Sequence, residues 1–296
     1  MTVKPFIKWA GGKSQLLSDI RSKYPAELGK SVNKYCEPFV GGGAVLFDIL
    51  SSCAVSEVLI NDINKELINA YSNIKETPNQ LISDLTAIQD EFWALDTVRR
   101  KEYYYNIRER FNFLKVSNDN SVNPEKAVLF IFLNKTCFNG LYRVNKKGLF
   151  NVPVGAYKKP LICDTDNLKN ISKLLQNVTI KCGDYKDCLS FADENSFYYI
   201  DPPYRPLTQT ANFTSYAEGD FADNEQIELG QFIDKLTAKG TKVIASNSDP
   251  KNSDADDNFF DELYGKYSIS RVSAKRMINS KSANRGIISE LIISNI

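Results

Sequence analysis

Seven short runs of β-branched and aromatic residues punctuate the chain, at 35–39, 57–61, 178–181, 197–201, 242–246, 268–272 and 287–293. Each is bounded by Gly, Pro, Asn, Asp or Ser, the punctuation expected of strands. Amphipathic stretches follow the first five, an α/β pattern whose parallel strands are joined by right-handed crossovers through helices. The last two runs are separated by a polar loop around 279–286 and are expected to pair antiparallel. Between the second and third runs the period changes. Apolar residues recur at three and four over 77–93, 97–114 and 124–133, which predicts three helices. A helical block interrupting a sheet predicts a catalytic domain split into 1–69 and 166–296 by a mainly helical domain inserted at 70–165.

Composition narrows the chemistry. The 296 residues are 43% hydrophobic and 25% charged, as in a soluble globular protein. The formal net charge is +1, so attraction to a polyanion must come from local patches. Histidine is absent, which excludes Ser-His-Asp and Cys-His catalysis, His-based zinc sites and the His-dependent zinc deaminases. Cys36, Cys53, Cys137, Cys163, Cys182 and Cys188 form no Cys-x-x-Cys pair and read as free thiols in a reducing cytosol, with no metal site expected. The first residues contain no apolar leader and no run reaches bilayer-spanning length, so a cytoplasmic protein without membrane contact is expected. Residues 249–262 are rich in acid and are expected to form a solvated, mobile loop.

One block departs from the even charge balance. From Lys126 to Cys163 there is no Asp or Glu, while Lys126, Lys135, Arg143, Lys146, Lys147, Lys158 and Lys159 are interleaved with Phe138, Tyr142, Phe150 and Tyr157. A solvated face usually mixes signs. Basic groups, stacking rings, three glycines and two prolines predict a loop or hairpin that grips nucleic acid.

The sharpest chemical signal is Asp201-Pro202-Pro203-Tyr204, directly after the run Ser196-Phe197-Tyr198-Tyr199-Ile200. It stands where a buried strand ends, the edge at which open α/β sheets bind ligands. The prolines remove backbone donors and leave carbonyl acceptors. A carboxylate, a carbonyl and an aromatic face suit a planar ring bearing an NH2 group: the acceptors hold both amine hydrogens, draw the nitrogen out of conjugation and expose its lone pair, while Tyr204 stacks. Glu37-Pro38-Phe39-Val40-Gly41-Gly42-Gly43 is a glycine turn between strand and helix, but lacks the G-x-G-x-x-G dinucleotide pattern. Some twenty residues on, Asp62 ends the next strand, where a carboxylate accepts from ribose hydroxyls. A nucleoside without a pyrophosphate follows, and S-adenosyl-L-methionine fits. Asp184-Tyr185 is read either as an acceptor and ring for its adenine or as a plain turn. Lys8-Trp9-Ala10-Gly11-Gly12-Lys13 lacks the first glycine of a P-loop and by itself reads as a helix start.

In this order the motifs resemble the Dam-type family of adenine-N6 DNA methyltransferases over nearly the whole chain. The resemblance rests on 8–13, 39–43, Asp62, Asn139-Gly140-Leu141-Tyr142-Arg143, Phe150-Asn151-Val152-Pro153, 155–160, 201–204 and Asn212-Phe213-Thr214. It implies a seven-stranded Rossmann-like methyltransferase sheet and an inserted target-recognition domain. It implies that Trp9, Lys13, Phe39, Gly41, Asp62, Asp184, Tyr185 and Asp201 form the cofactor site, and that Asp201, the Pro202 carbonyl and Tyr204 hold a flipped-out adenine. On the same resemblance Arg143 reads guanine, Phe138 and Asn139 enter the duplex beside the flipped base, Leu141, Pro153 and Tyr157 contact bases, and Lys8 contacts the outer guanine. The implied target is the adenine of GATC in double-stranded DNA. A restriction endonuclease acting on the same site, without a stable complex, is a compatible partner. Phe138 stands where many members carry tyrosine. The alternatives are an RNA amine-directed methyltransferase and a catalytically silent DNA-binding protein. A nicotinamide oxidoreductase fails on the missing pyrophosphate pattern.

Overall fold

The computed structural model describes residues 3–116, 121–205, 221–275 and 287–296. The polar loop at 279–286 and the segment Asn212-Phe213-Thr214 lie outside the described residues. The seven expected strands are all present: β1 Lys34–Glu37, β2 Glu57–Asp62, β3 Val178–Cys182, β4 Ser196–Ile200, β5 Lys242–Ser248, β6 Ser268–Lys275 and β7 Ile287–Ser294. They form one mixed sheet in the order β3-β2-β1-β4-β5-β7-β6. β1 runs parallel to β2 and β4, and β4 parallel to β5. β7 is antiparallel to β6, as expected, and also to β5, so it inserts between them.

Nine helices accompany the strands among the described residues: α1 Leu17–Arg21, α2 Ala44–Ser52, α3 Lys65–Glu76, α4 Pro78–Ala94, α5 Thr97–Val116, α6 Pro124–Thr136, α7 Thr165–Leu175, α8 Asp223–Ala238 and α9 Phe259–Leu263. The element after β3 is shorter and tighter than the expected crossover helix. It is a 3-10 helix over Tyr185–Phe191, whose first turn is capped by the Asp184 side chain. Its buried residues, Tyr185 and Cys188, are three apart, the spacing that a 3-10 helix places on one face.

The chain divides into two compact units, one made of residues 1–12, 41–51 and 64–182, the other of 13–40, 52–63 and 183–296. The first holds α3 to α7, with α6 at its centre. Ala127 to Leu133 of α6 are all buried, and α3, α4 and α5 pack around it, as expected of a helix that is apolar on every side. Its start is set by Asn123, whose side chain accepts from the Lys126 amide at 2.8 Å, with Pro124 at the first helical position.

The second unit holds six strands of the sheet. β4 is buried along its whole length, the uniform apolar run of a central strand covered on both faces. Alternation sorts its side chains. Tyr198 and Ile200 join Cys36, Leu229, Phe232, Val243, Phe260 and Leu291 in the core under α8. Phe197 lies on the other face, with Tyr24 and Tyr35 at 5.7 and 5.5 Å between ring centroids. Asp201 therefore leaves the sheet on the face that also carries Tyr35, Glu37 and Tyr199.

Candidate active site and nucleic-acid interface

Strand order reverses beside β1, with β2 on one side and β4 on the other. Such a switch point opens a crevice at the carboxyl ends of parallel strands. Asp201 follows the last residue of β4 there, and Glu37 ends β1. Lys13, in the 3-10 turn ahead of α1, is only 3% exposed. Its ammonium lies 2.7 Å from Asp201 Oδ1 and donates to the Tyr204 hydroxyl at 2.8 Å. The Tyr204 hydroxyl in turn donates to Glu290 Oε2 on β7 at 2.7 Å. Pro202 is buried. The Pro203 carbonyl accepts from Gln226 Nε2 at 3.1 Å, and Gln226 Oε1 accepts from Asn247 at 3.0 Å. Those two amides fix the double-proline segment against α8 and β5.

Burial dominates the electrostatics. It pushes the Asp201 carboxyl up from its ordinary value to about 6, against the pull of Lys13 and with a further push from Glu290. Glu37 rises to about 8, chiefly by burial; the hydrogen bond that it accepts from Tyr35 opposes the shift and Asp201 adds to it. Burial and the charges of Asp201 and Glu290 hold Tyr204 protonated.

The remaining cofactor candidates fall into two groups. In the unit with Asp201, one side chain joins three strand ends. Asn61 is buried, and its Nδ2 donates to the carbonyls of Pro38 at 3.1 Å and Gly183 at 2.9 Å. The Val40 amide donates to the Asn61 carbonyl, and the Gly183 amide to the Asp62 carbonyl. These bonds bring Phe39, Asp62, Asp184 and Tyr185 together. The Phe39 and Tyr185 rings lie 5.1 Å apart, and the buried Tyr185 hydroxyl has no hydrogen-bond partner among the described residues. In the other unit Trp9 packs on Gly41, whose φ of +48° favours glycine. A Cβ there would stand 2.9 Å from the indole Cδ1.

The nucleic-acid candidates gather in that same unit. Phe138 follows α6 with its amide bonded to the Pro153 carbonyl at 2.8 Å. Asn139 has a φ of +56° and is the one non-glycine residue in the left-handed region among the described residues. Asn134, nearly fully buried, accepts from the Lys8 amide and donates to the carbonyls of Lys8 and Gly140. It thereby pins Lys8 beside the Phe138–Gly140 turn. The Lys8 ammonium donates to the Tyr157 hydroxyl at 3.0 Å. Beyond Leu141 the chain forms a hairpin: Val144 bridges Phe150, and the Asn151 amide bonds the Arg143 carbonyl. Arg143 is exposed and its Nε donates to Asn151 Oδ1 at 2.8 Å. Phe138 is 51% exposed, while Pro153 and Asn139 are also exposed.

Two expectations are corrected. Tyr142 and Phe150 are not stacking rings on the surface but core residues. Tyr142 donates to the buried Glu66 carboxylate, which also holds Lys115, and its ring packs on Phe130 and Phe150. Lys126 is buried as well. The acidic stretch 249–262 is not a loose loop. Asp249 is buried and pairs with Arg271, Asp261 pairs with Arg271 and Lys251, and Asp257 lies 2.6 Å from Arg205. Because Arg205 also pairs with Asp223, these acids anchor the residue after Tyr204. Glu290 and Asn134 were not among the sequence candidates; neither lies in a motif, and each acts across 86 or 126 positions.

Residues 9–278 match the family model of the D12 class N6 adenine-specific DNA methyltransferases. The chain is 51% identical to the type II methyltransferase M.MjaIII of Methanocaldococcus jannaschii, covering all of both chains. It is 38% identical to the type II methyltransferase M1.LlaDCHI of Lactococcus lactis subsp. cremoris, covering all of this chain and 96% of the other. It is 34% identical to the DNA adenine methylase of Escherichia coli, covering 98% of this chain and 94% of the other.

Proposed function

Because the chain belongs to the D12 class N6 adenine-specific DNA methyltransferases, we propose that it moves a methyl group from S-adenosyl-L-methionine to N6 of an adenine flipped out of duplex DNA, within GATC. The observation that carries this reading is the Lys13–Asp201–Tyr204 cluster at the carboxyl end of β4. The family assignment supersedes the RNA-directed and catalytically silent alternatives.

The residues present fit the cofactor. The orphaned Tyr185 hydroxyl beside the Phe39 ring offers a buried polar group and an aromatic face to a purine. Asp62 offers a carboxylate to ribose hydroxyls at the end of β2. Lys13 shared between Asp201 and Glu290 leaves the ionised cluster with one excess negative charge, complementary to a sulfonium. Asp184 and Lys13 complete this set, and Trp9 and Gly41 belong to it by their motifs. When bound, S-adenosyl-L-methionine supplies an activated methyl group on sulfur.

An adenine within a duplex cannot present its amine, and extruding it costs roughly a few kcal/mol. Phe138, exposed at the tip of its turn, offsets part of that loss by filling the stack. Asp201 and the Pro202 carbonyl accept the two amine hydrogens and localise the nitrogen lone pair, while Tyr204 stacks on the base. Catalysis is then chiefly positioning and electrostatics. Residues 70–165 serve as the target-recognition domain. Arg143, Leu141, Pro153, Tyr157, Asn139 and Lys8 make the base and backbone contacts of GATC, with Arg143 bidentate to guanine. The names of the type II relatives favour a restriction endonuclease reading the same site without a stable complex.

The test is incubation with labelled S-adenosyl-L-methionine and duplexes with and without GATC, followed by identification of the modified base. N6-methyladenine confined to GATC duplexes is expected. Label on adenine elsewhere overturns the site and keeps the chemistry.

A further inference from the structure

β7 brings a carboxylate from 86 positions away to the Tyr204 hydroxyl. Glu290 lies opposite Ser248 of β5 and Val272 of β6, and its side chain is 13% exposed. A tyrosine hydroxyl has one proton to donate and lone pairs to offer. Here the proton goes to Glu290 Oε2 at 2.7 Å and a lone pair receives the Lys13 ammonium at 2.8 Å. Lys13 is thereby held between Tyr204 and Asp201, 3.9 Å from Glu290. We infer that Glu290 is a positioning residue for methyl transfer: it fixes the Tyr204 ring by its hydroxyl and directs Lys13 onto Asp201.

The geometry gives Glu290 two separable effects. As an acceptor it sets the orientation of the ring. As a charge it opposes ionisation of Asp201, acting in the same sense as burial and against Lys13. The other groups facing Asp201 are Glu37 from β1, Tyr199 from β4 and Tyr204 itself. Glu290→Gln removes the charge and keeps an oxygen that accepts from Tyr204, whereas Glu290→Ala removes both.

The inference rests on Asp201 as the acceptor for the target amine, so Asp201→Asn is measured alongside. Single-turnover methylation of a cognate duplex at saturating cofactor is followed against pH, with cofactor affinity and thermal melting measured for each variant. Glu290→Ala is expected to slow the step about 10- to 100-fold, the scale of a misplaced reacting group, with cofactor affinity changed by less than about threefold. Glu290→Gln is expected to keep most of the rate at neutral pH and to move the acid limb to lower pH, a shift that a purely structural role does not produce. Tyr204→Phe with Glu290→Ala should be no slower than Tyr204→Phe alone, because both changes remove one interaction. Additive losses, an unmoved acid limb in Glu290→Gln, or a Glu290→Ala rate within about twofold of the parent each overturn the inference. If Glu290→Ala does not fold, Glu290→Gln and its pH profile decide alone. Turnover that survives in Asp201→Asn instead removes the underlying assignment of Asp201.

Discussion

Lys13 and Asp201 form an ion pair 2.7 Å long in which the lysine is the more buried partner, 3% exposed against 19% for the carboxylate. Burying an ammonium is costly unless it is paired, so the lysine is held by what surrounds it. The carboxylate has the opposite problem. Its ordinary acidity is weakened by burial to about 6, and Lys13 is what keeps it from rising further. In the proposed reaction one Asp201 oxygen accepts an amine hydrogen while the other holds Lys13, a double acceptor role that only the carboxylate fills. Activity should therefore fall about tenfold per pH unit below about 6. Lys13→Met should move that limb to higher pH at saturating cofactor. Asp201→Ala should abolish transfer while specific DNA binding survives. Rate-against-pH profiles and gel-shift titrations check all three.

Glu37 should make stability depend on pH. Its folded-state acidity is shifted from 4.5 to about 8, so between those values the folded chain holds a proton that the unfolded chain lacks. Stability is then highest at the acid end of this window and declines as pH rises through it, levelling above about 8. Asp201 adds a similar decline between 3.8 and about 6. Glu37→Gln keeps an acceptor for Tyr35 and cannot ionise. Its melting temperature should lose most of the decline toward alkaline pH, which scanning calorimetry from acid to alkaline pH reads directly.

Asn61 uses one amide group to hold two loops. Asn61→Ala leaves the Pro38 and Gly183 carbonyls without that donor, at about 1–3 kcal/mol for a buried group left unpaired. Because both loops carry cofactor candidates, S-adenosyl-L-methionine affinity should fall together with melting temperature. Asn61→Asp should fare worse, since a carboxylate has no proton for either carbonyl. Equilibrium dialysis and melting curves on the same preparations test the coupling.

Arg143 is exposed and already oriented by Asn151. Arg143→Ala should cost about 1–3 kcal/mol on the cognate duplex and relax discrimination at one base pair. Asn151→Ala should give a smaller loss at that same pair, by releasing the guanidinium before binding. Uniform loss on every sequence would instead make Arg143 a phosphate contact. Competition binding with single-substitution duplexes distinguishes the two.

The strands were legible because each is a short apolar run closed by turn residues, and β4 most of all, ended by Asp201-Pro202-Pro203. The placement of Asp201 and Tyr204 was legible because it is local: four consecutive residues at one strand end. The basic block was legible only in its charge. Among its rings, Phe138 is exposed, whereas Tyr142 and Phe150 are drawn inside by Glu66 and by the aromatic core around Phe111 and Phe130. Alternating basic and aromatic letters do not say which rings point inward. Glu290 and Asn134 were invisible for a different reason: each acts on a residue far away in sequence, and no periodicity encodes a partner that only the assembled sheet or helix layer supplies. The acids at 249–262 show the same limit, for their arginine partners lie in other elements.

The pairing of β1 with β4 joins Lys34 to Ser196, 162 positions apart. At a synthesis rate of about 5–20 residues per second, β1 emerges from the ribosome roughly ten to thirty seconds before its central partner exists. Through that interval β1 has only β2 beside it, and the exposed backbone groups of its other edge invite pairing with other chains. Pairings at this sequence separation are slow to close, so the enzyme should gain more than most from chaperones that shield an open sheet edge during synthesis. The hairpin around Arg143 is made late in that interval, and Asp201 follows directly after the strand that ends it.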